Sequence, residues 1–474
     1  MLTAATRRPG HAAAPPEPVL GCEPSQTNGT NGNREHGDPG GWRWHDALVI
    51  GGHNDIEAGS APTRPQALGH VRICDLSGQL AGAGATRLLA AFGAEVIRIE
   101  DPVNKGLWDI VRQMAPKFPG DSSHEGGTGF NNHNVNKLGI TLNLRTARGK
   151  ELLAEIVRHS DAVTENFAAG VMDRLGFGYE QLKALKPDIV YVSNCGFGHV
   201  GPYGAFKSWG PITQAVSGMT FQSGLPDREP AGWGYSYMDH TGAYTMAIAL
   251  LAALWHRQRT GIGQWVDMSC TEAGAAMNGP ALLDATVNNR PLRRPGSPSS
   301  NRSTSPAMAP HGIYPTAEDD CWVAIACRDD DDWSALRDAV GAAWANESVW
   351  STLAGRCDDE DRLDALLSTW TAGRERAAIV AVLRAAGVPV APVASPRHRA
   401  DHDAENVRWG MFPAVPHTRH GPVRVDGVGA HLSATDWHLR RGGPLLGEDN
   451  ERVLGDLLGL SSSEIEQLRA DGVI

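Results

Sequence analysis

Several features are missing from the chain, and each absence excludes something. Its 474 residues hold no uninterrupted apolar run of about 18, so no transmembrane helix is expected. Basic side chains do not predominate: 43 Lys and Arg stand against 54 Asp and Glu, a net charge of −11. That balance argues against a nucleic-acid or anionic-membrane partner, though not against a local basic site for an anionic ligand. The seven cysteines (Cys22, Cys74, Cys195, Cys270, Cys321, Cys327 and Cys357) are odd in number and contain no C-x-x-C pair. Neither a disulfide scaffold nor a cysteine zinc site is expected, and reduced cytoplasm is the expected compartment. Met1 to Pro18 lacks an apolar h-region and does not read as a secretory signal. The histidines include no H-E-x-x-H, so no metal is expected.

What is present reads as two or three domains, at about 150 residues each. Residues 1–66, rich in Gly, Pro, Asn and His, read as a disordered or loosely docked N-terminal extension. A β-α-β unit follows: strand Val71–Asp75, a small-residue turn at Gly82-Ala-Gly84, a helix through Leu88 and Phe92, and strand Glu95–Glu100. The pattern recurs as strand Ile140–Leu144, helix Ala147–His159, strand Asp161–Thr164, helix Tyr179–Leu185 and strand Asp188–Ser193. An apolar helix over Thr241–Thr260, strand Gln264–Met268 and helix Cys270–Ala285 complete it. Such alternation predicts an α/β fold with a doubly wound, Rossmann-like parallel sheet. The expected layout is a large domain over 67–288, a Pro/Ser/Arg linker over 289–310, a smaller α/β domain over 311–405, and a C-terminal segment over 406–474 that returns to the large domain.

Four segments are candidates for chemistry. Gly82-Ala-Gly84 suggests a dinucleotide site, with Glu100 as the ribose acid, but Arg87 stands where the third glycine of G-x-G-x-x-G belongs. A tight strand-to-helix turn explains it better. His398 and His402 have i, i+4 spacing beside Pro396, and the run Asp329–Asp332 precedes Trp333; the latter reads as a helix start capped by carboxylates rather than a cation site. In Trp233-Gly-Tyr-Ser-Tyr-Met-Asp-His-Thr-Gly242, Asp239 reads either as the N-cap of the apolar helix or as a carboxylate nucleophile behind an aromatic wall. Glu165-Asn-Phe-Ala-Ala-Gly-Val-Met-Asp-Arg-Leu-Gly176 offers free amides and an arginine for a phosphate-bearing ligand, and alone it is an ordinary strand–loop–helix.

In order along the chain stand Gly93-Ala-Glu-Val-Ile-Arg-Ile-Glu100, Asn134-Val-Asn-Lys137 before Ile140-Thr-Leu-Asn-Leu144, and Glu165-Asn-Phe167 with Val171-Met-Asp-Arg-Leu-Gly176. Gly196-Phe-Gly with Gly201-Pro-Tyr203, Leu254-Trp-His-Arg-Gln-Arg-Thr-Gly261, Gly387-Val-Pro-Val-Ala-Pro-Val393 and Pro444-Leu-Leu-Gly447 follow. This ordered series resembles the class III CoA-transferases, the family of formyl-CoA transferase and carnitine CoA-transferase, from about residue 70 to the end.

The resemblance implies a homodimer of two interlocked chains, with no permanently bound cofactor and coenzyme A thioesters as substrates. It implies Asp239 as the nucleophile, which forms a mixed anhydride with the donor acyl group and then an aspartyl-CoA thioester that the acceptor acid attacks. By position, Asn166, Phe167, Val171 and Arg174 match the CoA-binding loop and Lys207 a lysine on the CoA side. Gln79, Leu80 and Ala81 match the turn that contacts cofactor or intermediates. Trp209, Trp233, Tyr235, Tyr237 and His240 are candidates for the substrate pocket, pointing to a medium-sized or aromatic acid with succinyl-CoA as donor.

Departures from the family pattern are Leu138 and Gly139 in place of an Arg-Ser pair, Asp101 for a basic residue and Ala169 for a proline. The run of consecutive glycines of the oxalate-specific members is absent, which weakens an oxalate assignment. An acyl-CoA racemase is the alternative, but Trp209 occupies its histidine position and cannot move protons. An NAD-dependent oxidoreductase and a non-catalytic CoA-binding dimer are remoter alternatives.

Overall fold

The computed structural model describes residues 65–474 except Pro226 and Tyr235, so nearly all of the 1–66 extension lies outside the described residues. The chain divides into two compact units, one of residues 65–301 with Ala394–Ile474, the other Arg302–Val393.

The larger unit is built in alternation. Its elements are β1 (Arg72–Asp75), α1 (Ala81–Ala91), β2 (Glu95–Glu100), α2 (Thr128–His133), β3 (Leu138–Thr141), α3 (Ala147–Arg158) and β4 (Ala162–Glu165). Then come α4 (Val171–Leu175), α5 (Tyr179–Leu185), β5 (Val190–Cys195), α6 (Gly210–Val216), α7 (Tyr237–Thr260), β6 (Trp265–Ser269), α8 (Cys270–Met277) and α9 (Gly279–Val287). The six strands form one parallel sheet in the order β3-β2-β1-β4-β5-β6.

Strand side chains alternate between two faces, and each face has its own core. Ile73, Val96, Ala162 and Val192 pack under Leu89 of α1 and Met246 and Leu250 of α7. Cys74, Ile97, Ile140 and Val163 pack under Leu152 and Ile156 of α3, joined by Ile465 and Leu468 from the C-terminal helix Ser462–Ala470. The isoleucines are fully buried, each contributing about 1.5–3 kcal/mol. Helices on both faces of a parallel sheet make the unit doubly wound.

Several boundaries differ from those expected. Gly82 and Gly84 lie inside α1 rather than in the turn before it. A Cβ on Gly84 would sit 3.1 Å from Ala243 Cβ, so Gly84 serves the close approach of α7. The single helix expected over Cys270–Ala285 breaks at Asn278, because Pro280 opens a new first turn. β3 starts two residues earlier than the apolar run suggests and ends at Thr141.

The smaller unit carries an antiparallel sheet with Trp322–Ala326 between His311–Pro315 and Val390–Pro392. Trp333, Trp350, Leu363, Leu367 and Ile379 fill its core. The carboxylate of Asp329 accepts the N–H groups of Asp331 and Asp332 at the start of the helix Asp330–Val340. The acidic run is therefore a helix cap.

Candidate active site

β1 and β4 are neighbours whose chains continue to opposite edges of the sheet, and a crevice opens beyond their carboxyl ends. The loop leaving β1 turns at Gln79, a left-handed residue with φ 55°. Such a conformation costs about 1–2 kcal/mol for a residue with a side chain. Asn166, just past β4, holds the turn: its Oδ1 accepts the Gly78 N–H at 2.8 Å and its Nδ2 donates to the Gly78 carbonyl at 3.0 Å. At about 1 kcal/mol net per bond, this clasp offsets the strain. Gly82 makes room for it, since a Cβ there would fall 2.9 Å from Asn166 Cγ and 2.4 Å from Ser77 Cβ.

Asp239 approaches from the other side. α7 begins earlier than its apolar run, because Ser236 takes a left-handed conformation (φ 39°, ψ 42°) and its carbonyl accepts the Asp239 N–H at 2.8 Å. Ser236 therefore holds the cap position and Asp239 is the third helical residue, which corrects the expectation that Asp239 is the N-cap. Its carboxylate is freed to lie against the start of α6. A Cβ on Gly210 would come within 2.7 Å of Oδ2, 2.9 Å of Cγ and 3.1 Å of Oδ1. Burial pushes the Asp239 carboxyl above its ordinary range, with the Ser236 hydroxyl opposing. The field of a helix N-terminus favours the anion.

A cleft of about 260 Å³ brings these parts together. Gln79, Ala81, Asn166 and Phe167 line it from the two loops, Lys207 and Trp209 from the approach to α6, and Asp239 from α7. The other residues selected from sequence lie elsewhere. Leu80 is buried against Val111 and Phe130. Val171 and Arg174 are on α4, with Arg174 exposed. Trp233 and Tyr237 pack edge to face at 4.8 Å outside the cleft lining. His240 faces His133 at 5.7 Å, and burial lowers its pKa. Tyr235 lies outside the described residues.

Several lining residues were not among the candidates read from sequence, including Asn194 and Cys195 at the end of β5, Phe206 and Ser208 before α6, Thr213 of α6, and Cys270 where β6 meets α8. The Cys270 thiol donates to Asn194 Oδ1 at 3.2 Å. Gly242 lets α7 close on it, since a Cβ there would meet its Sγ at 2.6 Å. Burial, with Asp239 adding to it, pushes this thiol up to about 12. Burial likewise pushes Cys195 up to about 11. Both are protonated at neutral pH and poor nucleophiles.

Phe167 also walls a second cavity of about 180 Å³ beyond β1, β2 and β3. Leu76, Ile99, Leu142 and Trp108 make it apolar, and Arg145, exposed, stands at it. Trp108 and Phe167 are 5.3 Å apart, ring to ring. No sequence signal marked Arg145. Glu100 does not serve a ribose: it is buried, and Arg112 donates to both its oxygens at 2.7 and 2.6 Å. Burial alone would raise its carboxyl pKa; Arg112 and Arg98 overcome this and hold it low. Among the described residues no group of three or more His, Cys, Asp or Glu is placed to hold a metal ion.

Comparison with known proteins agrees in family. The family model described as CoA-transferase family III matches residues 68–450. Succinyl-CoA–D-citramalate CoA-transferase of Chloroflexus aurantiacus is 32% identical over 417 residues, 88% of this chain and 100% of that protein. Formyl-CoA:oxalate CoA-transferase of Streptomyces coelicolor is 32% identical over 424 residues, 86% of this chain and 99% of that one. Among solved structures, a CAIB/BAIF family protein from Brucella suis superposes with a TM-score of 0.74 at 28% identity, covering 82% of this chain and 98% of its own.

Proposed function

The chain belongs to CoA-transferase family III and is a CoA-transferase acting between an acyl-CoA and a carboxylic acid, and from that premise we propose that Asp239 carries the covalent chemistry. Its carboxylate attacks the donor thioester carbonyl, and the C–S bond breaks to expel CoA thiolate and leave a mixed anhydride. The thiolate then attacks the aspartyl carbonyl, giving an aspartyl-CoA thioester and releasing the donor acid. The acceptor carboxylate attacks that thioester and expels the thiolate, which takes the acceptor acyl group and restores the carboxylate. No proton changes hands, so an ionised Asp239 needs no general base.

The observation that carries this reading is the Asp239 carboxylate, raised in basicity by burial and set against Gly210 in a cleft whose thiols are protonated. Trp209 in the wall limits water, which would hydrolyse either intermediate. The Gly78 amide is held by Asn166, so an oxyanion would take its hydrogen bonds from the amides that follow it, at the Gln79 turn. CoA lies across Phe167: its thioester end is in the cleft with Lys207, and its adenine is in the apolar cavity, where Arg145 meets phosphate. Arg174, exposed on the neighbouring α4, is a second phosphate partner. Relatives named for succinyl-CoA and formyl-CoA make these the first donors to try.

A homodimer, interlocked as in the family, fits the apolar surface left on the larger unit. Tyr244, Ile248 and Trp255 of α7 and Leu282, Leu283 and Val287 of α9 are all more than half exposed. The six described cysteines are free, which suits a reducing cytoplasm. Among the described residues no helix is long and apolar enough to cross a membrane.

The test is transfer of CoA from succinyl-, formyl- or acetyl-CoA to a panel of free acids. The wild type transfers and Asp239→Asn does not. Deuterium entering the acyl α-carbon without any acceptor acid would instead support racemisation; the absence of histidine from the described cleft lining argues against it.

A further inference from the structure

Trp108 stands in the loop that leaves β2, half-buried, just before a single helical turn at Ile110–Arg112. Its indole walls the apolar cavity beside Phe167 and is absent from the lining of the Asp239 cleft. Yet the far edge of the same ring rests on Gly78. A Cβ on Gly78 would meet Cη2 at 2.5 Å and Cζ3 at 2.6 Å, so the indole fills the place a side chain would take. Gly78 has no positive φ, and the ring, not the backbone, is what calls for glycine there.

The ring is held from behind. Asp109, the next residue, is fully buried; its Oδ2 accepts Arg98 Nη2 at 2.6 Å and its Oδ1 accepts the Val111 N–H at 3.2 Å. Arg98, fully buried in β2, donates through Nη1 to the Ser77 carbonyl at 2.6 Å, and its guanidinium lies 5.6 Å from the Trp108 ring centre. One guanidinium thus joins the residue before Gly78 to the residue after Trp108. The Asn166 clasp acts at the N and O of Gly78, and two points leave rotation about the line between them. The indole bears on the α-carbon side, a third point, and close packing there resists the remaining movement.

We propose that Trp108 is a positioning residue for the transfer reaction: its indole, backed by Asp109 and Arg98, bears on Gly78 and holds the Gln79 turn with its amides toward the oxyanion. This rests on the CoA-transferase reading above. Donors serve an oxyanion only where they are fixed before the charge develops. On a scale of about 100-fold per ångström of misplacement, a drift of about half an ångström costs about tenfold in rate. A ring that only walled the cavity would instead affect KM for the thioester, and one that only filled space would affect stability.

The experiment is steady-state transfer by the full chain with three variants. Trp108→Phe keeps an aromatic ring beside Phe167 but is too short to bear on Gly78. Gly78→Ala drives a methyl group into the indole. The double variant lets that methyl occupy the space the indole gives up. Each single variant is expected to lose about tenfold in kcat, with KM for the thioester nearly unchanged in Trp108→Phe, and the double variant to recover to within about threefold of wild type. Thermal unfolding confirms that each variant folds, and Trp108→Phe decides alone if Gly78→Ala does not. A folded Trp108→Phe that keeps kcat, or whose loss lies in KM, overturns the proposal. So does a double variant whose loss is the product of the two single losses. A wild type that transfers CoA from no donor overturns the CoA-transferase reading and the proposal with it.

Discussion

Gly210→Ala tests the geometry around Asp239 with a single methyl group. The added Cβ would stand 2.7 Å from Asp239 Oδ2, and ordinary contact begins at 3.4 Å. That oxygen must therefore retreat by about 0.7 Å, or α6 must shift by as much. Misplacement by about 1 Å costs roughly 100-fold in rate, so 0.7 Å predicts a loss of about 25-fold in kcat, equivalent to about 1.9 kcal/mol in the barrier. The backbone gives no second reason for loss, because Gly210 is the first residue of α6 and lacks a positive φ. Alanine there favours the helix by up to about 1 kcal/mol, which offsets part of the clash in the stability of the fold. The assay is steady-state transfer with one donor and one acceptor, alongside thermal unfolding. A folded variant with kcat within twofold of wild type would refute the placement of Asp239 against Gly210.

Three further outcomes follow from the same contacts. Asn166→Ala removes both bonds to Gly78 and should destabilise the protein by about 2 kcal/mol in urea unfolding while raising KM for the thioester; unchanged stability would show that the Gln79 turn holds itself. The folded Asp239 carboxyl titrates above its unfolded value, so over the interval between the two the native state binds the extra proton and stability falls as pH rises. Asp239→Asn has no such proton, so its stability should gain on wild type through that interval and hold the gain above it; a gap constant with pH would contradict the burial of this carboxylate.

The fold was legible where strand and helix alternate with clear punctuation. Glu95–Glu100 and Tyr179–Leu185 fall as read, because glycines precede both and apolar spacing suits each. The start of α7 was not legible. Tyr237-Met-Asp-His carries no helix signal, and the turn depends on Ser236 adopting a conformation its residue type seldom takes. The site divided in the same way. Asn166, Phe167 and Asp239 were singled out by the family resemblance, whereas Asn194, Thr213 and Cys270 reach the cleft from three separated segments. Convergence of that kind is a property of strand order and helix packing, which no local pattern encodes. Gly82 and Gly84 mark the difference: in sequence they suggest a phosphate loop, and in the structure they clear space for Asn166 and α7.

The central claim is a covalent bond at Asp239, and peptide mass spectrometry tests it most directly. The full chain is mixed with succinyl-, formyl- and acetyl-CoA without an acceptor acid, quenched and digested. The account predicts an acyl or CoA adduct on the peptide holding Asp239, absent from Asp239→Asn. A donor that the wild type turns over but that leaves Asp239 unmodified would contradict it.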